Sequence, residues 1–524
     1  MSAFESLKFF GPELVLTIFI LIVAFTDFFY RGRPDRKRMV ITDASLTGVV
    51  LSMAAAILMA DGGSRLIFFG MTAADGFAVF FKILLAGAVL LVGLISYRSS
   101  EVSDSEIGEF HVFLLALLLG MNLLASAANL LMIYLALEFV SIASYILTGS
   151  KRNDRASSEA ALKYVIYGAF ASGIMLFGMS YLYGLFGSLD LVALQSAIPE
   201  RLAAASGTEL LYLKATLAVA AVMVFAGFGY KIAAVPFHMW CPDVYQGAPT
   251  PITALLSVAP KAAGFAILMR FFFGTFTSAV APFSVTTLDV PWLWVLGLVS
   301  AVTMTVGNLT AIQQTNLKRL LAYSSIAHAG YILMGVVALS EEGMFSVLFY
   351  LAVYLFMNLG AFFVILSVRE KTGSEDIETY RGLGQREPFT AALFAIFLFS
   401  LAGLPPLAGF IGKFYLFAAV IKQASYWYYV LAVVGIVNSV VGLYYYARII
   451  KAMYLEKSED TSPVGILAFH KVLLFILVVP TLVLGLFWEP LQRGVSNSLS
   501  IAGTPVAAET SDEIQSPLAK AERD

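Results

Sequence analysis

Four ionisable side chains stand deep inside long apolar runs of a 524-residue chain: Glu138 in IYLALEFVSIASY, Lys231 in FGYKIAAVPF, Lys261 in SVAPKAAGFAILM and Lys413 in AGFIGKFYLF. A charged side chain at the centre of a bilayer costs roughly 2.5–3.5 kcal/mol on the insertion scale. A lysine escapes that cost by snorkelling, with its stem in lipid and its ammonium at the interface. Lys261 stands about ten residues from either end of its run, roughly 15 Å at 1.5 Å per residue, which its stem does not span. Snorkelling therefore fails for Lys261, and for Lys413 as well. For Lys231 the nearby Pro236 leaves the end of the helix open. A structural ion pair explains one lysine against Glu138 but not three. Burial without a counter-ion disfavours a charged group, and an approaching opposite charge restores it. A lysine held between these influences gains or loses its proton when its partner moves, and a row of such lysines is a proton pathway.

The histidines divide. His328 (SSIAHAG) lies mid-run on a polar stripe with Ser324 and Ser325, and an unperturbed imidazole titrates near pH 6.5, so it is a candidate proton carrier. His238 (VPFHMWCPD) reads almost equally well as a hydrogen-bonded interior residue. His111 and His470 stand at run ends and read as interfacial, Lys82 as a snorkelling lysine and Asp27 as a surface carboxylate. The aromatic residues, 14% of the chain, read as packing and lipid-facing side chains.

Composition dictates the elements that hold these groups. Hydrophobic residues make up 59% of the chain and charged ones 13%, with a mean hydropathy of +0.84, against about a quarter charged in soluble domains. That excludes a water-soluble enzyme with a solvated surface. The net charge of −2 gives no nucleic-acid footprint. The single cysteine, Cys241, permits neither an internal disulfide nor a cysteine-ligated cluster, and no metal ligand set is expected. No phosphate-cradling glycine loop is present, since Gly412-Lys413 lacks the earlier glycine and runs into Phe414.

Apolar runs near 11–30, 39–60, 77–97, 110–126, 128–148, 161–186, 211–235, 251–273, 291–312, 321–339, 344–368, 389–421, 426–448 and 470–488 give fourteen segments. They are too long and too uniform for membrane β-strands. The first reads as a retained helix, and the tail after Pro490 as polar and solvated. Basic clusters occupy the odd-numbered connections: Arg31 to Arg38, Arg98, Lys151 to Lys163, Lys318 and Arg319, Arg369 to Arg386, and Arg448 to Lys471. The even ones hold only Arg65, Arg201, Lys214, Arg270 and Lys422. The positive-inside rule then puts the odd connections in the cytoplasm and both termini outside. Segment 7 carries Pro236, and segment 12 carries Gly403-Leu404-Pro405-Pro406 shortly before Lys413. Proline removes a backbone donor and clashes with the preceding turn, so both segments should be broken. Paired breaks point to an inverted-repeat transporter.

The fold class expected is an all-α polytopic membrane protein with about fourteen transmembrane helices, two inverted five-helix repeats and broken helices 7 and 12. The divisions expected are residues 1–109 (three helices), 110–280 (segments 4–8), 281–450 (segments 9–13) and 451–524 (the last helix and tail).

The stretches KIAAVPFHMWCPDVYQGAPTPITALLSVAPKAAGF from Lys231, NLKRLLAYSSIAHAGYILMG from Asn316 and GLPPLAGFIGKFYLF from Gly403 resemble the antiporter-like proton-translocating subunits of respiratory complex I. The likeness is strong over residues 110–450. Within that family, a lysine after GLPPLAGF resembles the N type. The M type has glutamate there, and the L type continues into a long lateral helix. The resemblance implies that Glu138 pairs with Lys231, that Lys261 aided by His328 sits between two half-channels, and that Lys413 is the exit-side lysine. It also implies no redox cofactor on this chain, with NAD, FMN, iron–sulfur clusters and quinone on other subunits. The implied partners are neighbouring antiporter-like and small membrane-arm subunits, the lipid bilayer and protons; the loop charges, with no transit peptide read at the start, place the chain in a bacterial inner membrane. Two alternatives stand beside this reading: a subunit of a multisubunit Na+/H+ antiporter, and a scaffold whose buried charges only lock helices together.

Overall fold

The computed structural model describes residues 2–30, 32–60, 62–276, 292–458 and 462–501. Arg31 and the polar tail from residue 502 lie outside them. Each of the fourteen apolar runs is helical: Gly11–Phe29, Pro34–Leu58, Gly76–Ser96, Ile107–Ser126, Leu130–Thr148, Arg155–Phe186, Gly207–Ile232, Thr250–Phe276, Trp292–Ile312, Leu317–Val337, Glu341–Thr372, segment 12, Tyr426–Leu455 and Ala468–Leu486. Thirteen are long and apolar enough to cross a membrane. Segment 12 is two short helices, Pro388–Ala402 and Ala408–Ile421. The strands among the described residues form one short hairpin, Arg65–Ile67 against Thr72–Ala74, between segments 2 and 3.

Both expected breaks occur, and they are built alike. The segment 7 helix stops at Ile232, Ala233 takes a left-handed conformation (φ 59°), and the Ala234 N–H donates back to the Gly229 carbonyl at 2.7 Å. The first half of segment 12 stops at Ala402, Gly403 takes φ 85°, and the Leu404 N–H donates to the Phe399 carbonyl at 3.1 Å. This is the Schellman closure, which satisfies the last carbonyls of a helix. Pro236 and Pro405-Pro406 then keep the helix from resuming. After the first break the chain forms a short helix, Trp240–Gly247, before segment 8.

Segments 8, 10 and 11 are buried almost throughout, whereas segments 1, 6, 13 and 14 leave apolar faces exposed. A helix apolar all round belongs in a core, and one with a single packed face belongs at a rim. Segments 4, 5, 6, 7 and 8 each pack on the next, and 8 returns to 4; segments 9 to 13 close the same ring. Segment 8 bridges the two, packing also on segments 3 and 11.

Lys82 and Arg270, both expected near water, are instead buried at one end of the bundle, each paired with a buried carboxylate. Lys82 does not snorkel: its ammonium lies 2.8 Å from Glu13, which is buried at the start of segment 1. Arg270 is not in a connection but near the end of segment 8, where its guanidinium takes both oxygens of Asp75 at 2.8 and 3.0 Å. Asp75 also caps segment 3, accepting from the Ala78 N–H at 2.8 Å. Desolvation forces such charges to pair, and the partners stand 69 and 195 residues away in sequence, beyond any local pattern. His111 and His470, expected at interfaces, are buried and bond Thr42 (3.1 Å) and Ser367 (3.2 Å).

At the opposite end the odd-numbered connections meet. Glu101 pairs with Lys151 and Arg369, and Glu375 with Arg369 and Lys318. This agrees with an up-and-down path of fourteen spans.

Candidate functional site

The site is assembled by the two breaks and by segment 10. Lys231 lies in the last turn of segment 7, 1% exposed, where the partial negative charge of a helix C-terminus favours a cation. Its ammonium donates to Ser141 Oγ on segment 5 at 3.1 Å. The expected direct pair with Glu138 is absent: the carboxylate, one turn from Ser141 and only half-buried, forms no ion pair with Lys231 among the described residues. The break beside Lys231 is fixed by Trp240, whose Nε1–H donates to the Tyr230 carbonyl at 3.0 Å and whose ring stacks on Tyr164 at 4.4 Å. Gly264 on segment 8 admits the lysine stem, since a Cβ there would lie 3.3 Å from Lys231 Cγ and 2.9 Å from Ile232 Cγ2.

Lys261 stands one turn before Gly264, 3% exposed. Its ammonium donates to Ser325 Oγ on segment 10 at 2.5 Å and lies 5.7 Å from the centre of the Tyr245 ring, within cation–π range. Segment 10 then carries the polar line onward, because Ser324, Ser325, His328 and Tyr331 fall at helical three- and four-residue spacings on one face. His328 Nδ1 lies 2.6 Å from the Tyr350 hydroxyl and Nε2 3.1 Å from the Tyr446 hydroxyl, which is itself 2.5 Å from Ser324 Oγ. A neutral imidazole donates at one nitrogen and accepts at the other. Two phenol partners therefore suit either tautomer, and a proton taken at one nitrogen and released at the other crosses the ring.

Lys413 closes the line. Its ammonium donates to the Ala402 carbonyl at 2.9 Å and to Ser439 Oγ at 3.0 Å, and lies 4.9 Å from the centre of the Tyr331 ring. The lysine on the second half of segment 12 thus caps the negative end of the first half, which only the break permits. The Tyr331 hydroxyl accepts from Asn308 Nδ2 at 3.0 Å, and Asn308 Oδ1 accepts from Tyr445 at 3.0 Å. Among the described residues none of the three lysines forms an ion pair; their partners are hydroxyls and one carbonyl.

Gly403 is needed at this break. A side chain there is strained by the positive φ, and its Cβ would lie 2.8 Å from Lys413 Cδ. Gly403→Ala is expected to lower stability by about 1–2 kcal/mol, the cost of a left-handed residue, which thermal unfolding in detergent checks.

Of the five residues chosen from sequence, Lys261, His328 and Lys413 stand along the polar face of segment 10, the Lys231 stem lies against Gly264 one turn from Lys261, and Glu138 stands one turn from Ser141. His238 is buried, and its Nδ1 has no hydrogen-bond partner among the described residues. Sequence reasoning missed Tyr350, Tyr446, Asn308 and Ser141. Reading the aromatics as packing alone was wrong for the two tyrosines that hold His328. The chain has 24 tyrosines, so residue type alone did not mark these two.

The profile of the family "NADH:quinone oxidoreductase/Mrp antiporter, TM" matches residues 127–439, a stretch that holds all five of these side chains. NADH-quinone oxidoreductase subunit N of Anaeromyxobacter sp. (strain Fw109-5) is 47% identical over 506 residues, 95% of this chain and 97% of that protein. The chain belongs to the NADH-quinone oxidoreductase subunit N family. Among solved structures, a chain of respiratory complex I from Thermus thermophilus is 31% identical with a TM-score of 0.73, covering 93% of this chain and 99% of that one. A chain of the Mrp complex from Dietzia sp. DQ12-45-1b has a TM-score of 0.76 at 20% identity, covering 96% and 98%. At that identity the likeness is one of fold alone.

Proposed function

We propose that Lys231, Lys261, His328 and Lys413 pass protons along the polar line through the middle of the bundle, with Glu138 adjusting the charge at its first station. As a member of the subunit N family, the chain is a proton-translocating membrane subunit of NADH-quinone oxidoreductase, part of an enzyme whose electron transfer runs elsewhere. The observation that carries the residue assignment is the set of three buried ammonium groups held by hydroxyls, carbonyl and aromatic faces instead of carboxylates. A lysine fixed only for stability is better served by a partner of opposite charge. One held by a hydroxyl can give up its proton and remain hydrogen-bonded as an amine accepting from that hydroxyl.

In this reading protons enter from the cytoplasmic face, where the odd-numbered connections and their basic residues lie, and leave on the periplasmic side, where both termini lie. Segments 4–8 and 9–13 are two repeats. Their matching rings support this, and an offset of five spans reverses direction, which makes the repeats inverted. Residues 1–109 and 451–524 flank them. Quinone reduction by subunits carrying FMN, iron–sulfur clusters and the NAD site supplies the energy, and neighbouring antiporter-like and small membrane-arm subunits of a bacterial inner membrane pass it on. The breaks in segments 7 and 12 each place a lysine beside a helix end, where its proton is exchanged against the end's partial charge.

Purification of the tagged chain from its native membrane in mild detergent tests the assembly part. Flavin, iron–sulfur signals and quinone reductase activity are expected to co-purify. A stable complex lacking them, with sodium-dependent proton exchange in vesicles, contradicts the proposal and favours the antiporter alternative.

A further inference from the structure

A ring of buried and half-buried charges closes the face where the odd-numbered connections meet. Glu101, between segments 3 and 4, accepts from the Thr250 N–H at 2.5 Å and from the Thr250 hydroxyl at 3.1 Å. Thr250 is the first residue of segment 8, so a carboxylate caps the helix that carries Lys261. Negative charge at that end is favoured by the helix dipole, and a bond from a backbone N–H to a carboxylate is stronger than a neutral one. Arg369, at the end of segment 11, pairs with Glu101 and holds Glu375 at 2.8 Å. Glu375 in turn lies 3.4 Å from Lys318, accepts from Asn316 Nδ2 at 3.2 Å, and receives the Leu317 N–H on its carbonyl at 2.9 Å. Those three residues stand at the start of segment 10. Lys318, 1% exposed, donates to the Ala248 carbonyl at 2.7 Å, two residues from Thr250, and so completes the circuit. Lys151 joins from the side at 3.1 Å from Glu101. A cavity of about 600 Å³ opens onto Glu101, Lys151 and Arg369.

The ring binds the first turns of segments 8 and 10 to each other. Eleven residues along segment 8 from Thr250 is Lys261, and seven along segment 10 from Lys318 is Ser325, its hydrogen-bond partner. Segment 8 carries Pro260 just before Lys261, and the Tyr245 hydroxyl donates to the Leu256 carbonyl at 3.2 Å that the proline cannot pair, so the helix stays held across that point and a shift of its first turn is passed on to Lys261 at 1.5 Å per residue. The register at the ring therefore sets the distance between the Lys261 ammonium and the Ser325 hydroxyl. We propose that Glu101 is a positioning residue for proton transfer, acting through the ring of Arg369, Glu375 and Lys318 to hold Lys261 against Ser325 and His328. A purely cohesive role does not require the capped helix to be the one that carries the central lysine. The inference rests on Lys261 acting in the relay.

The test uses the assembled enzyme in liposomes and measures proton translocation and quinone reduction together. Glu101→Gln keeps an acceptor for Thr250 but removes the charge that draws in Arg369. It is expected to leave the amount of assembled enzyme unchanged and to slow translocation at least threefold, and Glu101→Asp is expected to restore more than half of the loss. The double variant Glu101→Gln/Arg369→Met is expected to be no slower than the slower single variant, because one ring is broken in each. Parental translocation by Glu101→Gln overturns the proposal, and so does a defect confined to assembly or one that Asp fails to relieve. Should Glu101→Gln not assemble, Arg369→Lys keeps every charge but loses the second arm of the guanidinium, and parental translocation there overturns it equally. Lys261→Met is run in parallel; if that variant pumps normally, the relay reading has failed rather than the ring.

Discussion

Replacing Lys261 by methionine is expected to cut proton translocation at least tenfold while leaving the chain folded and at least as resistant to heat. The ammonium is buried, bonded to one hydroxyl and set beside one aromatic face. Taking a charge out of water is costly, and replacing buried charges by apolar residues of similar volume is often neutral or stabilising. A lysine kept at that cost serves something other than cohesion. Lys261→Arg separates charge from proton exchange: the guanidinium stays protonated at any working pH, so it is expected to transport as poorly as methionine. Translocation by the arginine variant at the parental rate would show that a fixed positive charge suffices. Vesicle acidification and thermal unfolding of the same preparations supply both readouts.

The opposite signature is expected at the Asp75–Arg270 pair. Here both charges are buried and joined by two hydrogen bonds, with the guanidinium also donating to the Ala125 carbonyl at 3.1 Å. Arg270→Leu leaves the buried Asp75 carboxylate without its guanidinium, and breaking such a pair costs about 3–5 kcal/mol. The variant is expected to be scarce in membranes and to unfold well below the parent. Asp75→Asn/Arg270→Leu removes both charges and keeps a side-chain acceptor for the Ala78 N–H that Asp75 caps. It is expected to recover most of that loss, and equal abundance of the single and double variants would contradict the assignment. The contrast with Lys261 is the expected one if paired charges at the bundle end hold helices and, as proposed, the lysines along its middle pass protons.

Much of this architecture was legible in the sequence because its causes are local. Apolar run length fixes a spanning helix, and all fourteen runs are helical. Pro236 and Gly403 to Pro406 fix the breaks, and the depth of Lys261 and Lys413 in their runs fixes their burial. The rest depends on which helix faces which. Lys82 looked like a snorkelling lysine, yet it is buried against Glu13 at the start of segment 1. Glu138 looked like the natural partner of Lys231, yet Ser141 on the same helix meets the ammonium. Tyr350 and Tyr446 reach His328 from segments 11 and 13, at separations of 22 and 118 residues that no periodicity encodes. Lys318 and Arg369 counted only among the basic residues of the odd connections, and the fold closes them with Glu101 and Glu375 into a ring.

The central claim is that the buried lysines carry the protons. It is tested most directly by reconstituting the enzyme with Lys231, Lys261 and Lys413 all replaced by methionine and measuring protons moved across the liposome membrane during quinone reduction. The account predicts that the complex assembles with its redox centres intact and that translocation falls well below the parental rate. An assembled triple variant that moves protons at the parental rate would contradict it.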